Sequence, residues 1–306
     1  MPVKRKIIVI GSYCAAFGVV APRIPKVGET IKGSEFWMGP GGKGSNQAIG
    51  IKRLGGDVCF LTKVGGDVLA EEAKRLFHKE GLDTKFILEE PNTHTGAGLI
   101  FTDEKGRNAI AIAPGANQHL TREDIHIFKD TISKCQYLLV QMEISLDTVE
   151  YAIRFGKELG LYIVVNPAPA HRLSKKAMKC IDILVPNEME AEVLAGMPVS
   201  NYKEAVAAGS KLLDEGVKNV IITLGENGAV LVTPDGAKHF QGYKVKVVDT
   251  TGAGDAFNAG LVYALSKGYS LHEAIDFANK TGAFVVTKLG VVPALPTFEE
   301  IQETFR

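Results

Sequence analysis

The sequence lacks a surplus of charge of either sign. Lys and Arg number 35 and Asp and Glu number 35 among 306 residues, so the formal net charge is zero. A dedicated nucleic-acid binder usually carries a basic surplus, and a disordered chain combines high net charge with low hydrophobicity. With 45% apolar residues, the composition favours a folded protein with no nucleic-acid partner. At about 150 residues per domain the length allows two domains, and one large α/β domain is equally compatible with it.

Cysteine and metal-ligand patterns are also scarce. Four cysteines are present and form neither a CxxC pair nor a common zinc spacing: Cys14, Cys59, Cys135 and Cys180. In a chain of this length they are expected to be small buried hydrophobes in a reducing compartment. The seven histidines show no ligand spacing either, so no catalytic or metal role is assigned to them.

Long hydrophobic runs are missing. The basic segment Lys4-Arg5-Lys6 precedes an apolar run over residues 7–21, a pattern that resembles a signal peptide. However, Gly11-Ser12 interrupts the run, and residues 7–10 predict a buried first strand. No other stretch approaches the roughly 18 apolar residues of a membrane span. We therefore expect a cytoplasmic protein that does not contact the membrane.

Short apolar runs alternate with amphipathic stretches along the chain. Six runs predict strands: 7–10, 58–62, 137–140, 162–165, 183–185 and 220–224. Four stretches between them predict helices: 70–80, 145–159, 188–195 and 202–215. Strands that are apolar on both faces and separated by helices predict an α/β fold with a doubly wound, mostly parallel sheet.

Two regions interrupt this alternation. Residues 29–38 and 95–112 have strand patterns without helices between them, and Asp103-Glu104-Lys105-Gly106 predicts a hairpin turn in the second. We expect a single domain over residues 1–306 with a small β-sheet lid, whose strands lie at about 12–40 and 93–113. Two helical patterns, 271–287 and 298–305, end the chain.

Glycine is the residue in excess, at 33 of 306, or about 11% against a usual 7%. One cluster covers residues 39–47 and leads into a helical pattern at 48–54. Lys43 is followed by glycine, so the cluster is not a Walker A loop, and it lacks the spacing of a dinucleotide fingerprint. Lys43 and Asn46 would offer a cation and an amide where glycine lets a ligand approach the backbone. A plain turn with a helix cap is the alternative.

A second cluster covers residues 249–255. It follows a predicted strand at 243–248 and precedes a helical pattern at 256–265. Unpaired N–H groups and the positive end of the helix dipole make such a turn an anion site. Asp255 would be either the N-cap of the helix or a general base beside bound phosphate.

Two further loops follow predicted strands. Asn187 and Glu190 lie one turn apart where a helix begins, which suits a ligand site or simply the helix dipole. Residues 223–228 contain two glycines that would admit a nucleotide or form an ordinary hairpin turn. Ligands of open α/β sheets bind at such carboxyl ends of strands.

These motifs together resemble the ribokinase-like, or PfkB, family of carbohydrate kinases. The resemblance covers about residues 7–296. Residues 41–48 resemble the N-terminal signature of the family, and residues 249–257 resemble its C-terminal signature very specifically. Residues 141–143, 166–170 and 186–188 are similar to the ribokinases and deoxyribokinases within the family.

The resemblance implies ATP-dependent phosphorylation of a sugar hydroxymethyl group, with Asp255 as catalytic base. Its anion hole would consist of the N–H groups of Gly252, Ala253 and Gly254. The residues that would hold the sugar are Gly42, Lys43, Asn46, Asp255 and, at its far end, Glu143.

The resemblance also implies the nucleotide and metal sites. Glu190 would hold Mg²⁺ through water. The residues that would contact the nucleotide are Asn187, Thr223, Gly225, Gly228, Gly254 and Asn279. A monovalent cation, expected to be K⁺, would be held mostly through carbonyl groups by Asp249, Thr251, Val285, Lys288, Gly290 and Ala294. The lid strands would close over the sugar and form a homodimer contact.

One segment departs from the family pattern. Family members usually read Gly-Ser-x-Asn/x-x-Asp after the first strand, and the Asp accepts hydrogen bonds from two sugar hydroxyls. Here Cys14 occupies the position that is Asn in ribokinases, and Ala16 occupies the Asp position. Loss of the carboxylate should weaken ribose by about 10- to 200-fold. We therefore expect an altered sugar, such as a 2-deoxypentose, a ketohexose or a nucleoside, unless another residue supplies the contact.

Two other functions are compatible with an α/β fold. A non-catalytic binding protein would be expected to carry a damaged base or anion hole, and neither is seen. An oxidoreductase would need the glycine fingerprint followed by an acidic residue about 20 positions later, which is missing. The sequence therefore favours an active sugar kinase.

Overall fold

The structure is a computed structural model that describes residues 6–306; Lys4 and Arg5 of the signal-like segment lie outside these residues. The strands, in chain order, are β1 (Ile7–Ile10), β2 (Cys14–Ala21), β3 (Glu35–Gly41), β4 (Val58–Gly65), β5 (Ile87–Glu90), β6 (Ala97–Asp103), β7 (Asn108–Ala113), β8 (Tyr137–Val140), β9 (Tyr162–Val165), β10 (Ile183–Leu184), β11 (Val220–Thr223), β12 (Ala229–Thr233) and β13 (Gly236–Phe240). The α-helices are α1 (Lys43–Arg53), α2 (Val68–Lys79), α3 (Arg122–Ile127), α4 (Lys129–Ile132), α5 (Leu146–Glu158), α6 (Lys175–Met178), α7 (Glu188–Ala195), α8 (Tyr202–Asp214), α9 (Ala253–Ser266), α10 (Leu271–Val285), α11 (Val291–Ala294) and α12 (Phe298–Thr304).

A nine-stranded sheet forms the centre of the molecule, in the order β13-β12-β11-β10-β9-β8-β1-β4-β5. Its pairs are parallel except those of β12 with β11 and with β13. The predicted α/β fold with a mostly parallel sheet is confirmed. The chain passes from β1 outward to both β4 and β8, so a topological switch point lies at the carboxyl end of β1, where ligands of such sheets bind.

Alternate residues of the central strands pack on opposite faces of this sheet. Ile7 and Val9 belong to one core cluster, and Ile8 and Ile10 to the other. This explains the continuous apolar run, because helices cover both faces. Helix α9 is buried along nearly its whole length and lies beside α1 and α10. All four cysteines are free thiols, and only Cys180 is partly exposed.

A second, four-stranded sheet has the order β3-β2-β6-β7, and we call it the lid sheet. The predicted hairpin is present, with Gly106 N–H donating to the Asp103 carbonyl at 2.8 Å. The apolar run at 7–21 contains two strands, β1 and β2, joined by residues 11–13. The predicted strand at 29–38 is wrong in its first half, because only residues from Glu35 onward pair with β2.

The strand predicted at 243–248 is also wrong, because these residues join neither sheet. Their alternation of apolar and basic residues imitates a strand, but Val247 and Val248 are exposed. The segment is tied instead to the end of α10, where Val248 N–H donates to the Val286 carbonyl at 2.7 Å. Within residues 6–306, no helix is long and apolar enough to cross a membrane.

Candidate active site

The first glycine cluster forms the start of helix α1. The helix begins at Lys43, five residues earlier than predicted, and Gly42 is its N-cap with φ 93°. A Cβ atom on Gly42 would lie 2.8 Å from the Tyr13 Cα, and one on Gly44 would lie 2.6 Å from the Ser12 nitrogen. Glycine is therefore required for α1 to pack against the segment that follows β1. This loop therefore starts the helix, and its glycines also allow other atoms to approach its backbone closely.

Glu143 joins this helix start to the carboxyl ends of β1 and β8. Its Oε2 accepts hydrogen bonds from the Ser12 hydroxyl at 2.5 Å and from the Lys43 N–H at 2.8 Å. The structure therefore brings Glu143, Gly42 and Lys43 together as predicted. Ser12 was not assigned a role from the sequence, although its position directly after a buried strand could have suggested one.

Asp255 lies on the other side of the same helix start. It is the third residue of α9, whose N-cap is Gly252 with φ 82°, so the interpretation of Asp255 as the N-cap is wrong. The carboxyl group is buried. Its Oδ2 accepts from the Asn46 amide at 2.8 Å, and its Oδ1 accepts from the Gln47 amide at 2.9 Å. Residues more than 200 positions apart thus meet at one carboxylate.

The charges at this site act on one another. Burial raises the pKa of Asp255, against the effects of Lys43, Asn46 and Gln47. Burial also raises the pKa of Glu190, against its hydrogen bond from Asn187. Burial alone would lower the pKa of Lys43, but three nearby carboxylates outweigh burial and raise it: Asp255, Glu143 and Glu190. The site therefore contains one cationic side chain, Lys43, and three carboxyl groups. One of these, Asp255, accepts a hydrogen bond from an amide on each of its oxygens.

The N-terminus of α9 presents backbone donors beside Asp255. Within residues 6–306, the N–H groups of Gly252 and Gly254 donate no hydrogen bond, and Ala253 N–H makes only a long one to Thr250 at 3.4 Å. A Cβ atom on Gly254 would meet nothing within 4 Å. Together with the helix dipole, these donors form a place suited to an anion.

Asn187 and Glu190 form a capping box at the start of α7. The Asn187 Oδ1 accepts from the Glu190 N–H at 2.8 Å, and the Glu190 Oε2 accepts from the Asn187 N–H at 2.9 Å. The expected helix start is therefore confirmed, and both side chains cap the helix. Asn187 also bridges to Thr223, at the end of β11, so the loop after β10 and the loop after β11 meet.

Two of the predicted nucleotide residues, Gly228 and Asn279, lie against the segment 240–242. Residues 223–228 are the turn between the antiparallel strands β11 and β12, as in the hairpin alternative. Gly228 has φ 88°, and a Cβ atom there would lie 2.1 Å from the Phe240 carbonyl. The Asn279 amide contacts the Phe240 and Gln241 carbonyls at 3.4 Å each. Gly225 faces open space.

Two of the residues predicted to hold a monovalent cation, Thr251 and Gly290, donate hydrogen bonds to the carboxylate of Asp249. Its Oδ1 accepts from Thr251 N–H and hydroxyl, at 2.9 and 2.6 Å, and its Oδ2 accepts from Gly290 N–H at 3.0 Å. Although burial raises the pKa of Asp249, these hydrogen bonds lower it below the ordinary value. The Lys288 ammonium group contacts Glu300 at 3.1 Å. Of the remaining predicted ligands, the Val285 carbonyl accepts from Lys288 N–H and Ala294 ends α11.

Cys14 and Ala16 lie on one face of strand β2. The Asn117 amide donates to the Tyr13 carbonyl at 2.8 Å and contacts the Cys14 Sγ at 3.5 Å. Burial raises the pKa of Cys14 to about 12, and the charge of Glu143 adds to this shift. The thiol is therefore neutral. Cys14 and Ala16 give this face of β2 small, weakly polar side chains where the sugar is expected.

Ala16 is paired with Gly39 of β3 and Gly98 of β6. A Cβ atom on either glycine would meet nothing within 4 Å. No carboxylate stands on the strand face at position 16, and its direct neighbours cannot supply one.

Comparisons with known proteins agree with this geometry. The family model described as pfkB family carbohydrate kinase matches residues 4–297. The chain is 39% identical to a deoxyribokinase of Salmonella typhimurium, over 97% of each chain, and 38% identical to a ribokinase of Haemophilus influenzae, over 98% of each. The crystal structure of a ribokinase from Thermotoga maritima aligns with a TM-score of 0.89 at 35% identity, covering 97% of this chain and 98% of that one. The structure of an Arabidopsis thaliana ribokinase complexed with ribose and ATP aligns with a TM-score of 0.91 at 28% identity, over 98% of each chain.

Proposed function

The chain belongs to the pfkB family of carbohydrate kinases, and from this premise we propose that it transfers the γ-phosphate of ATP to the hydroxymethyl group of a pentose or related sugar. The observation that carries the site assignment is the buried Asp255 carboxylate. It lies between two amide donors, beside the N–H groups of Gly252 and Gly254, which donate no hydrogen bond among the described residues. A base and an anion site side by side are what phosphoryl transfer to a hydroxyl requires.

In the proposed reaction, Asp255 accepts the proton of the sugar hydroxyl as its oxygen attacks the γ-phosphorus. The N–H groups of Gly252, Ala253 and Gly254 stabilise the charge on the transferring phosphoryl group. Asn46 has a further capacity, because its Oδ1 is buried without a hydrogen-bond partner within residues 6–306. This oxygen is suited to accept a hydrogen bond from a sugar hydroxyl.

Mg²⁺ serves kinases in general by bridging and neutralising the phosphate oxygens of ATP. Glu190 is the residue that would hold it, through water. Mg²⁺ in such sites uses one or two carboxylates together with phosphates and keeps several waters. The single carboxylate of Glu190, in the first turn of α7, fits this chemistry.

A K⁺ ion is proposed beside the anion site. Asp249 and the carbonyl groups around it offer the oxygen ligands that a hard cation takes. Asp249 already links the turn before α9 to Gly290 through its hydrogen bonds. A cation there would hold the same two segments together and so order the N-terminus of α9.

For the sugar, we propose a 2-deoxypentose rather than ribose, with a ketohexose or a nucleoside as alternatives. The support is Ala16, which offers no acceptor for hydroxyl groups. Asn117, the polar side chain beside Cys14, does not replace the missing carboxylate, because its amide is engaged with both the N–H and the carbonyl of Tyr13. One of the similar proteins is named a deoxyribokinase.

A homodimer through the lid strands is also proposed. Both faces of the lid sheet expose large apolar side chains. Phe36, Met38, Leu99 and Phe101 share one face, and Trp37, Ile110 and Ile112 share the other. Apolar patches of this kind on a monomer mark contact surfaces. A second copy of the chain is the occupant that fits an apolar four-stranded sheet.

The assigned base is tested with Asp255→Asn. The amide cannot accept the proton at the same rate, so kcat should fall by about 100-fold or more, whereas ATP should still bind. Asp235→Asn, in the exposed turn between β12 and β13, is the matched control. Turnover by an ATP-coupled assay and ATP binding by calorimetry are measured. Turnover of Asp255→Asn close to that of the wild type would contradict the assignment.

A further inference from the structure

A chain of buried amides extends from Asp255 into the sheet. Gln47 is fully buried in α1. Its Nε2 donates to the Asp255 Oδ1 at 2.9 Å and to the Asn166 Oδ1 at 3.1 Å. Both hydrogens of this amide are therefore used, one on the carboxylate and one on a residue directly after β9. Asn166 is itself held, because its Nδ2 donates to the Val185 carbonyl at 3.1 Å.

The other end of the Gln47 amide is held as well. Its Oε1 accepts from the Gln141 Nε2 at 2.6 Å, directly after β8. A flipped Gln47 amide would place its oxygen against the carboxylate and against the Asn166 oxygen. Gly11 makes room for this contact, because a Cβ atom there would lie 2.1 Å from the Gln141 Oε1. The orientation of the Gln47 amide is thus set by three partners on three elements.

Asn46 and Gln47 differ in what remains available to a ligand. Asn46 donates to the Asp255 Oδ2 and keeps its own oxygen without a partner. Gln47 uses both amide hydrogens and its oxygen within the protein. Asn46 is therefore suited to bind sugar, whereas Gln47 can act on the reaction only through Asp255.

We propose that Gln47 is a positioning residue that holds the Asp255 carboxylate against the sheet through Gln141 and Asn166. The proposal rests on the proposed function, because it requires Asp255 to be the base. Its hydrogen bond orients Oδ1 and stabilises the ionised carboxylate, the form that can accept a proton. The alternative is that the amides only satisfy one another in the core.

The pH dependence of the reaction distinguishes a positioning role of Gln47 from a role in core packing alone. The charged groups that face Asp255 are Lys43 from α1, Glu143 after β8 and Glu190 from α7. Without the Gln47 donor, burial is opposed by one hydrogen bond fewer, so the pKa of Asp255 rises further. Since the base must be ionised, the acid limb of kcat/KM then moves to higher pH. A role in core packing alone predicts lower stability and an unmoved limb.

The experiment compares Gln47→Leu and Gln47→Glu with the wild type. Leu removes the donor, and Glu keeps the shape of the side chain but places a second carboxylate beside Asp255. Both should lower kcat by about 10- to 100-fold, the effect of one hydrogen bond to a charged group, and KM for ATP should change little. Thr62→Val is the matched control, because the buried Thr62 hydroxyl has no partner within residues 6–306.

Thermal unfolding of each variant is measured beside the pH profiles. If Gln47→Leu does not fold, the positioning role is tested with Gln47→Glu and Gln141→Met. Gln141→Met removes the hydrogen bond that the Gln47 oxygen accepts. A wild-type kcat and pH profile in Gln47→Glu would overturn the proposal while Asp255→Asn remains inactive. An active Asp255→Asn would instead overturn the proposed function itself, so the two failures are distinguishable.

Discussion

At position 16 a methyl group stands where the family pattern places a carboxylate. Ala16 faces two glycines across the lid sheet, so the neighbouring strands leave space instead of a substitute acid. We propose that this one residue bears on the choice of sugar without touching the base or the anion site. On that proposal, sugar specificity is separable from phosphoryl transfer.

Ala16→Asp should restore the hydroxyl clamp. We expect kcat/KM for ribose to rise by about 10- to 200-fold, with a smaller change for 2-deoxyribose, which presents fewer hydroxyls. Asn108→Asp, at an exposed position at the hairpin end of β7, is the control for added charge on the lid. The two rates are compared by an ATP-coupled assay. Equal ribose kcat/KM in the wild type and Ala16→Asp would argue against altered specificity.

At the scale of elements, the candidate site lies at the N-termini of three helices. Helices α1, α7 and α9 begin at Lys43, Glu188 and Ala253, and each first turn supplies a residue assigned to ligand binding or to the reaction. At α7 the same residues also stabilise the helix, since Asn187 and Glu190 form its capping box. The fold and the proposed function therefore involve the same side chains there.

Substitutions at Asn187 separate these roles. Asn187→Ala removes the cap and should lower the free energy of unfolding by about 1 kcal/mol. Asn187→Ser keeps a capping oxygen, so its stability should stay near that of the wild type. If the amide also contacts the nucleotide, both variants should show a raised KM for ATP. A normal KM for ATP in Asn187→Ser would indicate that Asn187 caps the helix and does not contact the nucleotide.

The turn before α9 depends on Asp249 in a similar way. We expect kcat in KCl to exceed that in choline chloride at equal ionic strength, because a bound cation would order the anion site. Asp249→Asn should remove this difference, since it removes the only negative side-chain charge of the predicted ligand set. The matched control is Asp276→Asn, on helix α10. Identical wild-type rates in both salts would contradict the cation proposal.

At the scale of the whole molecule, the exposed apolar lid sheet predicts a dimer. Light scattering coupled to size-exclusion chromatography should give twice the 32.9 kDa chain mass. Leu99→Lys and Ile112→Lys each charge one face of the sheet, and the variant that becomes monomeric identifies the contact face. A monomeric wild type, or a dimer that survives both substitutions, would contradict the proposal.

Six of the nine strands of the main sheet are predictable because their signals are local, whereas the sequence pattern does not predict β5, β12 and β13. Runs such as Ile7–Ile10 are apolar on both faces, and glycine clusters mark the loops after them. The segment 243–248 shows the limit of such signals: its alternating pattern is that of a strand, but a strand also needs a partner with unpaired N–H and carbonyl groups. Pairing is a property of the fold, which the local pattern does not contain.

The sequence by itself determined the family, the parallel α/β sheet and the identity of Asp255, Asn46 and Lys43 as candidate site residues, because motif spacing and apolar periodicity are properties of the chain. Only the tertiary structure decided that Asp255 is held by Gln47 and that Glu143 is held by Ser12. Those hydrogen bonds join residues more than 100 positions apart. They form only when the sheet brings its carboxyl ends to one edge, where the starts of α1 and α9 meet them.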